Sequence, residues 1–559
     1  MRPRWIVLGI VLIAIIAVGV HLGFAPATHV PVSDAQTVAA TSVETGQVAP
    51  DDAGQLALAT APALSPAQME ALQIRKLQMR EQMAALVDNN PPSPAGLPLV
   101  AGRETGATTA AEGQFPGNPA GFVIGRNNRN TNANNAAKGS TLAEPAAANN
   151  ALRVFAAGNF NHAEVSVNGG VNWADVPVPA GPAAAPIDCC DHDVVIDDAS
   201  RVTFHSTLYI NSAQTTGAVR IFVRRVPPAA DCSYTVEGPV ANRLPDYPHL
   251  GLTKRFLYLS TNNVGSAGGF ARMTRFNLDQ MANCVATAFT TFSQSFNIFG
   301  QRVWRPGEGA NNIETMRWGQ RDNATTFRIY EWNEAAAGPI QATRAISTSN
   351  AADPDCRGGV GNFDFIRAID TSLAGFSLHT TAAPGANGGS GVFAAYWTVS
   401  ADAAHTQGHI HAAVFNLSGL GLLAQPHIFN NGFCFGFPAV TANKRGDIGI
   451  TLALGGKAGG AGTAAQGYVG IDDEFTPGIG FFGTVFLTAT GTHNRNDSRY
   501  GDYFTIHSYE PCEKWFSATN YARLNGTAIG NINSRYIEFG RNQSFRCYQA
   551  HRNQLPSIQ

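Results

Sequence analysis

From Leu152 onward the chain is written in short apolar or alternating runs, parted about every ten residues by Gly, Asn, Pro or Asp. Alternation of period two puts one face of a strand in a core and the other against water or a second sheet. The pattern predicts strands at 201–210 and 218–226, then at 256–261, 270–278, 326–332, 393–399 and 409–417. Later ones follow at 447–454, 466–472, 483–490, 514–520 and 534–539. Only 281–288, MANCVATA, looks helical among them. This is the texture of an all-β sandwich or propeller.

A repeat decides between the two. A polar entrance followed by a short strand occurs six times: DCCDHDVVID from Asp188, PDYPHLGLT from Pro245, NIETMRWGQ from Asn312, NFDFIRAID from Asn362, FCFGFPAVT from Phe433 and SRYGDYFTIHSYEP from Ser498. They recur at roughly 50–70 residue intervals, the size of four-stranded blades with loop insertions. The expectation is an all-β, six-bladed β-propeller over 151–559, with these entrances as its innermost strands. Strands just before 166–173 are expected to join the last blade and close the ring.

Upstream the pattern changes. Arg2 and Arg4 precede an apolar run from Trp5 to Val20, about 16 residues and short of the ~20 that span a bilayer. Residues 1–27 therefore read as a signal peptide, or as an uncleaved signal anchor that leaves the protein on a membrane. Either exports the rest, to a secreted, periplasmic or extracellular location. Residues 28–150 read as a linker. Within it Ser65 and Pro66 start a helix over 66–88, with Met69, Leu72, Met79, Met83 and Leu86 on one face. A low-complexity spacer follows, in which 121–125 can form a short strand.

Composition changes the picture in two places. Charged residues are 14% and the net charge is -2, with no basic patch, so nucleic acid is not an expected partner. The eight cysteines of an exported chain favour disulfides. Cys512–Cys547 and Cys232–Cys284 are the expected pairs, with Cys189 and Cys190 bonded to different partners.

In a propeller the six entrances converge on one channel mouth, which would gather Asp191, His192, Asp193, Asp246, His249, Glu314, Arg317, Asp364, Arg367, Arg499, Asp502 and Tyr503. The same residue types also cap turns. A divalent metal ion is a possible cofactor, through Asp191, His192, Asp193 and His249, or through His405, His409 and His411 in one hairpin. The chain has no G-x-S-x-G elbow for serine chemistry, and its glycine-rich stretches at 389–391 and 455–462 suit surface loops.

Ser166-Val167-Asn168-Gly169-Gly170-Val171-Asn172-Trp173 resembles the Asp-box, Ser-x-Asp-x-Gly-x-Thr-Trp, of sialidase-like (BNR-type) propellers, with Asn168 for Asp and Asn172 for Thr. Ser498–Pro511 and Pro245–Gly251 are similar to segments of secreted bacterial members of that class. The resemblance covers roughly 150–550. It implies an arginine triad on a substrate carboxylate (Arg317, Arg367, Arg499), a tyrosine nucleophile (Tyr500 or Tyr503) and an acid/base (Asp191 or Asp246). No Arg-Ile-Pro motif opens the propeller. The expected function is binding of glycans or surface proteins through the channel mouth and loops, where Trp304, Trp318 and Tyr247 would stack on a ligand. An exo-acting, sialidase-type glycoside hydrolase is the alternative. On that alternative Asp502, Asp246, Arg317, Arg499 and Tyr503 are catalytic, while Asp191, Asp193, His192, His249 and Arg367 bind ligand.

Overall fold

A computed structural model describes residues 36–37, 42–51, 104–106, 108–109, 121–130, 144–150 and most of 152–547. The signal segment, the 66–88 helix, Arg367 and Arg499 lie outside the described residues. What is described is a β-propeller of seven blades, not six. In chain order their sheets span 146–175, 187–240, 243–295, 315–345, 379–429, 434–489 and 505–541, each a run of antiparallel neighbours from the inside outward. The innermost strands adjoin around the ring, the seventh returning to the first, except between blades three and four, where Pro306 packs on Gly251 and Gly307 on the Arg317 backbone.

Two misplacements account for the missing blade. The described part of the fourth entrance, 362–366, is no inner strand: Phe363–Asp364 pairs with Arg357–Gly358 in a small hairpin. The fifth inner strand is His379–Ala383. The strands before and around the 166–173 turn form a blade of their own, beginning at Ala146–Asn150. The sequences HTTAA and AAANN carry no bulky apolar residue. Inner strands crowd together near the axis, where small side chains fill the space, so neither gave an alternating signal.

Upstream segments are built into outer edges. Ser42–Val48 is the fifth strand of the third blade, and Phe122–Arg129 is the outermost strand of the seventh. The last blade is thus completed by residues from the start of the propeller, which ties the ring shut.

Each junction between blades has its own apolar core. Phe155 and Phe222 meet between blades one and two, Phe204 and Leu257 between two and three, Trp304 and Tyr258 between three and four. Phe327 and Trp397 follow, then Tyr396 and Phe435, then Phe437 and Phe504. The seam between blades seven and one is the smallest, with Ala147, Val154, Ala156 and Tyr536. Here the 166–173 turn contributes. Asn168 Oδ1 accepts from the amides of Val171 and Asn172 at 3.2 and 2.9 Å, while Gly169 and Gly170 take positive φ. Trp173 packs edge-on against Tyr536, and Asn128 donates to the Gly170 carbonyl at 2.9 Å.

Four disulfides are present, including the two expected pairs. Cys356 bonds Cys434, whereas Cys189 and Cys190 bond each other. Adjacent residues of a regular strand point to opposite faces, but the register shifts between Asp188, Cys190 and Asp193 break that alternation. Among the described residues there is one short helix, Leu278–Ala282, capped by Asn277. No helix among the described residues is long and apolar enough to cross a membrane.

Candidate functional site

The inner strands of blades two, three and six share a device. Each is bulged against its neighbour beside a residue held at positive φ: Asp191 at 56°, Tyr247 at 59° and Phe437 at 54°. None is glycine, so each carries backbone strain that the surrounding ladder must hold. Two residues after the first two stand Asp193 and His249, both fully buried and in contact.

Asp193 is fixed from three sides. Its Oδ1 accepts from the Val194 amide at 2.9 Å, and its Oδ2 from the Leu250 amide at 2.8 Å and from His249 Nδ1 at 3.3 Å. Burial alone pushes its carboxyl up. The His249 hydrogen bond and the charges of His249, Arg305 and His507 outweigh that and hold it below the usual range. Burial and the Arg305 guanidinium drive His249 down to about 4, against the pull of Asp193 and Asp502. His249 is therefore a neutral imidazole at pH 7 that donates from Nδ1. Its Nε2, a lone pair, has no partner.

Arg305 comes from the loop before the fourth inner strand. Sequence reasoning missed it, because WRPG offers no entrance pattern. It is 3% exposed and makes no ion pair among the described residues. Nη1 donates to His379 Nε2, Nη2 donates to the Phe504 carbonyl at 3.4 Å, and the guanidinium lies 5.6 Å from the Tyr503 ring centre. His379, from the overlooked fifth inner strand, is held well below its ordinary value by burial, then by Arg305, His249 and His507. Its Nδ1 and the Arg305 Nε are unpartnered. Tyr503 donates to the His192 carbonyl at 2.9 Å and stands edge-on to His249 at 4.8 Å. Burial and the carboxylates of Asp191, Glu144 and Asp193 raise its hydroxyl well above the ordinary value, so it stays protonated. His507 is the most accessible of the group, at 9%.

The remaining candidates divide. Asp191, Asp502 and Glu144, which was not anticipated, present carboxylate oxygens within 4.8 Å of one another. Glu144 also accepts from the Asp502 amide at 3.0 Å and from Asn159 at 2.7 Å, and Asp191 accepts from the Tyr247 amide at 3.3 Å. An all-oxygen set of this kind suits calcium better than a transition ion. Asp246 is buried on the bulge of blade three. His192 points into its own blade, between His205 at 2.8 Å and Asp188 at 3.2 Å, so the Asp191–His192–Asp193–His249 quartet does not converge. Arg317 is bonded to Glu331 at 2.7 Å across its sheet. Glu314 is a surface partner of Lys254, and Asp364 caps the Ile366 amide. Tyr500 stacks on Tyr521 in the core. Trp304, Trp318 and Tyr247 are fully buried and offer no stacking platform.

No protein-family model matches the chain, and no curated protein matches it by sequence. Among solved structures, the polysaccharide lyase Uly1 is 10% identical, covering 76% of this chain and 97% of its own, with a TM-score of 0.33. An α-L-arabinofuranosidase of Fusarium graminearum is 9% identical over 76% of this chain and 99% of its own, TM-score 0.34. An α-L-arabinanase of Penicillium chrysogenum is 11% identical over 53% and 93%, TM-score 0.28. At such values the function has to be argued from the residues.

Proposed function

We propose that this is an exported propeller that binds an acidic glycan at its central channel, with Arg305 gripping a sugar carboxylate. The observation that carries the reading is a buried guanidinium without a carboxylate partner, beside two more unsatisfied polar atoms, His379 Nδ1 and His249 Nε2. Buried polar groups find partners in folded proteins, and a ligand is one source of them. A planar guanidinium matches a carboxylate in a way an ammonium does not. The four disulfides fit an oxidising compartment.

Catalysis is the second reading, favoured by the Asp193–His249 pair. Asp193 fixes the tautomer that leaves His249 Nε2 free as a general base. With the uronate carboxylate on Arg305, that nitrogen takes the proton from the adjacent ring carbon. The C–O bond to the next sugar breaks, a C=C bond forms, and the departing oxygen takes the Tyr503 hydroxyl proton. Hydrolysis by a carboxylate pair has less support, because Asp191 and Asp193 are engaged by backbone amides.

Calorimetric titration with uronate-containing and neutral oligosaccharides tests both readings. Arg305→Ala should weaken uronate binding by about 1.5–3 kcal/mol, the worth of hydrogen bonds to a charged group, while Arg317→Ala leaves it unchanged. Equal binding by the folded Arg305→Ala chain sinks the proposal. Ultraviolet absorbance of a new unsaturated uronate marks elimination; new reducing ends without it mark hydrolysis.

A further inference from the structure

The outer half of blade five holds a second histidine group that the channel does not use. His409 lies on the third strand, His427 on the short fourth strand, and His405 on the loop that leads into the third. One ring nitrogen from each lies within 4.8 Å of the others. The rings crowd together, with centroids 4.3 Å apart for His405 and His409 and 4.5 Å for His405 and His427. The sequence pattern had suggested His411 as the third member. Its ring instead stacks behind His427 at 4.3 Å, with Nε2 3.4 Å from the Ser347 hydroxyl.

We infer that His405, His409 and His427 form a zinc site that pins the 400–408 loop to the outer strands of blade five. The orientation of the rings argues for a cation. His405 Nδ1 donates to the Asp402 carboxylate at 2.9 Å, and His409 Nδ1 donates to the Gln407 carbonyl at 3.1 Å. Both bonds put the proton on Nδ1 and leave Nε2 as a lone pair, that of His409 lying beside His427. A carboxylate or a backbone carbonyl behind the ring is how metal-binding histidines are held. His405 Nε2 has no hydrogen-bond partner although its side chain is only 4% exposed. That orphaned, buried lone pair is an observation separate from the clustering.

The spacing is close to what zinc needs. His409 Nε2 and His427 Nδ1 are 2.9 Å apart. Two nitrogens at 2.0–2.1 Å on a tetrahedral ion stand ~3.3 Å apart, so a slight opening admits the metal. Three imidazoles suit zinc, with copper and nickel as competitors, and do not suit calcium or magnesium. Asp402 Oδ2, 4.0 Å from His409 Nε2, borders the fourth position. That position is left for water or for Asp402 itself.

The test uses the full exported chain, stripped with a chelator and dialysed against zinc. Metal analysis should find one zinc per chain, cobalt substitution should give a tetrahedral visible spectrum, and chelation should lower the thermal midpoint. His409→Ala should lose the zinc. His405→Gln, on the loop and outside the strands, is the safer variant to fold and should lose it too. Asp402→Asn should keep the site but weaken zinc about 10–100-fold. No stoichiometric zinc in the parent chain overturns the inference. So does zinc retained by the folded His405→Gln chain, which would place the metal elsewhere, for instance at Glu144, Asp191 and Asp502.

Discussion

The two histidine groups use one side chain for opposite ends. In the channel, His249, His379 and His507 share their space with a guanidinium. In blade five, His405, His409 and His427 share theirs mainly with one another and with acceptors behind the rings. Desolvation pulls members of both groups down: His249 and His427 are each driven to about 4 and His409 to about 3. What differs is the hydrogen-bonded neighbour. On the function proposed above, the Arg305 guanidinium makes the first group a receptor for an anion, and convergent lone pairs make the second a receptor for a cation. The neighbour of the rings, rather than the presence of histidine, would then set the sign of the ligand.

The largest expected effect comes from removing the anchor of the channel group. Asp193→Ala leaves the Val194 and Leu250 amides and His249 Nδ1 without their acceptor, all buried. Each buried donor left without its acceptor costs about 1–3 kcal/mol, so the three together cost about 3 kcal/mol or more. Denaturant melts should show a loss of that size. Asp402→Ala in the metal-free chain should cost under about 1 kcal/mol, since that carboxylate is 38% exposed and solvent already serves it. Similar costs at the two sites would break the contrast between a group held by the fold and one held by its metal.

Acid should read out the channel next. The folded-state pKa of His249, about 4, lies below its ordinary 6.5. Between these values the unfolded chain binds the proton and the folded chain does not, so stability falls as pH drops from about 6.5 to about 4. A gap of this size corresponds to a loss on the order of 3 kcal/mol at full effect. Asp193, held below its usual range, adds a further loss as the pH falls through the carboxylate range. Arg305→Ala should flatten the first part of the curve, because the guanidinium is the second cause of the His249 shift. An unchanged slope in that variant would separate the imidazoles from the arginine and remove the basis for an anion receptor.

Most of the fold was legible because bulky strands announce themselves. Five of the seven inner strands carry aromatics or β-branched residues next to a turn signal, as in PDYPHLGLT and SRYGDYFTIHS. The two that were missed, AAANN and HTTAA, are inner strands built from small and polar residues. The missed inner strand of blade five brought His379 into the channel, and Arg305 came from a loop with no periodicity at all. Site residues on bulged inner strands were easier to find. Asp193, His249 and Tyr503 were named as candidates from sequence, and the bulges at Asp191 and Tyr247 stand just before the first two, which meet across blades. Arg317 and His192 sat in equally suggestive runs, but Glu331 and His205 on the next strand of the same blade claim them, and that depends on hairpin register. His427 shows the same limit. Its place beside His409 depends on a strand pairing that runs through His411.

That pairing gives the smallest and most discriminating expectation. His411 and His427 are directly opposite across the third and fourth strands of blade five, and His411 also lies 4.7 Å from the Trp397 ring. A metal held by His411 would require its ring to swing out of that stack. His411→Phe keeps an aromatic ring against Trp397 and His427 and removes both nitrogens. Only the 3.4 Å contact with Ser347 is lost. The cost should be about 1 kcal/mol or less, the worth of a single hydrogen bond, visible as a small drop in thermal midpoint. Zinc content and affinity should match the parent chain. Loss of zinc in this variant would return the third ligand to His411, the choice that strand alternation alone suggests. Retention in His411→Phe together with loss in His427→Ala would fix the ligand set as one loop residue and one residue from each of two outer strands.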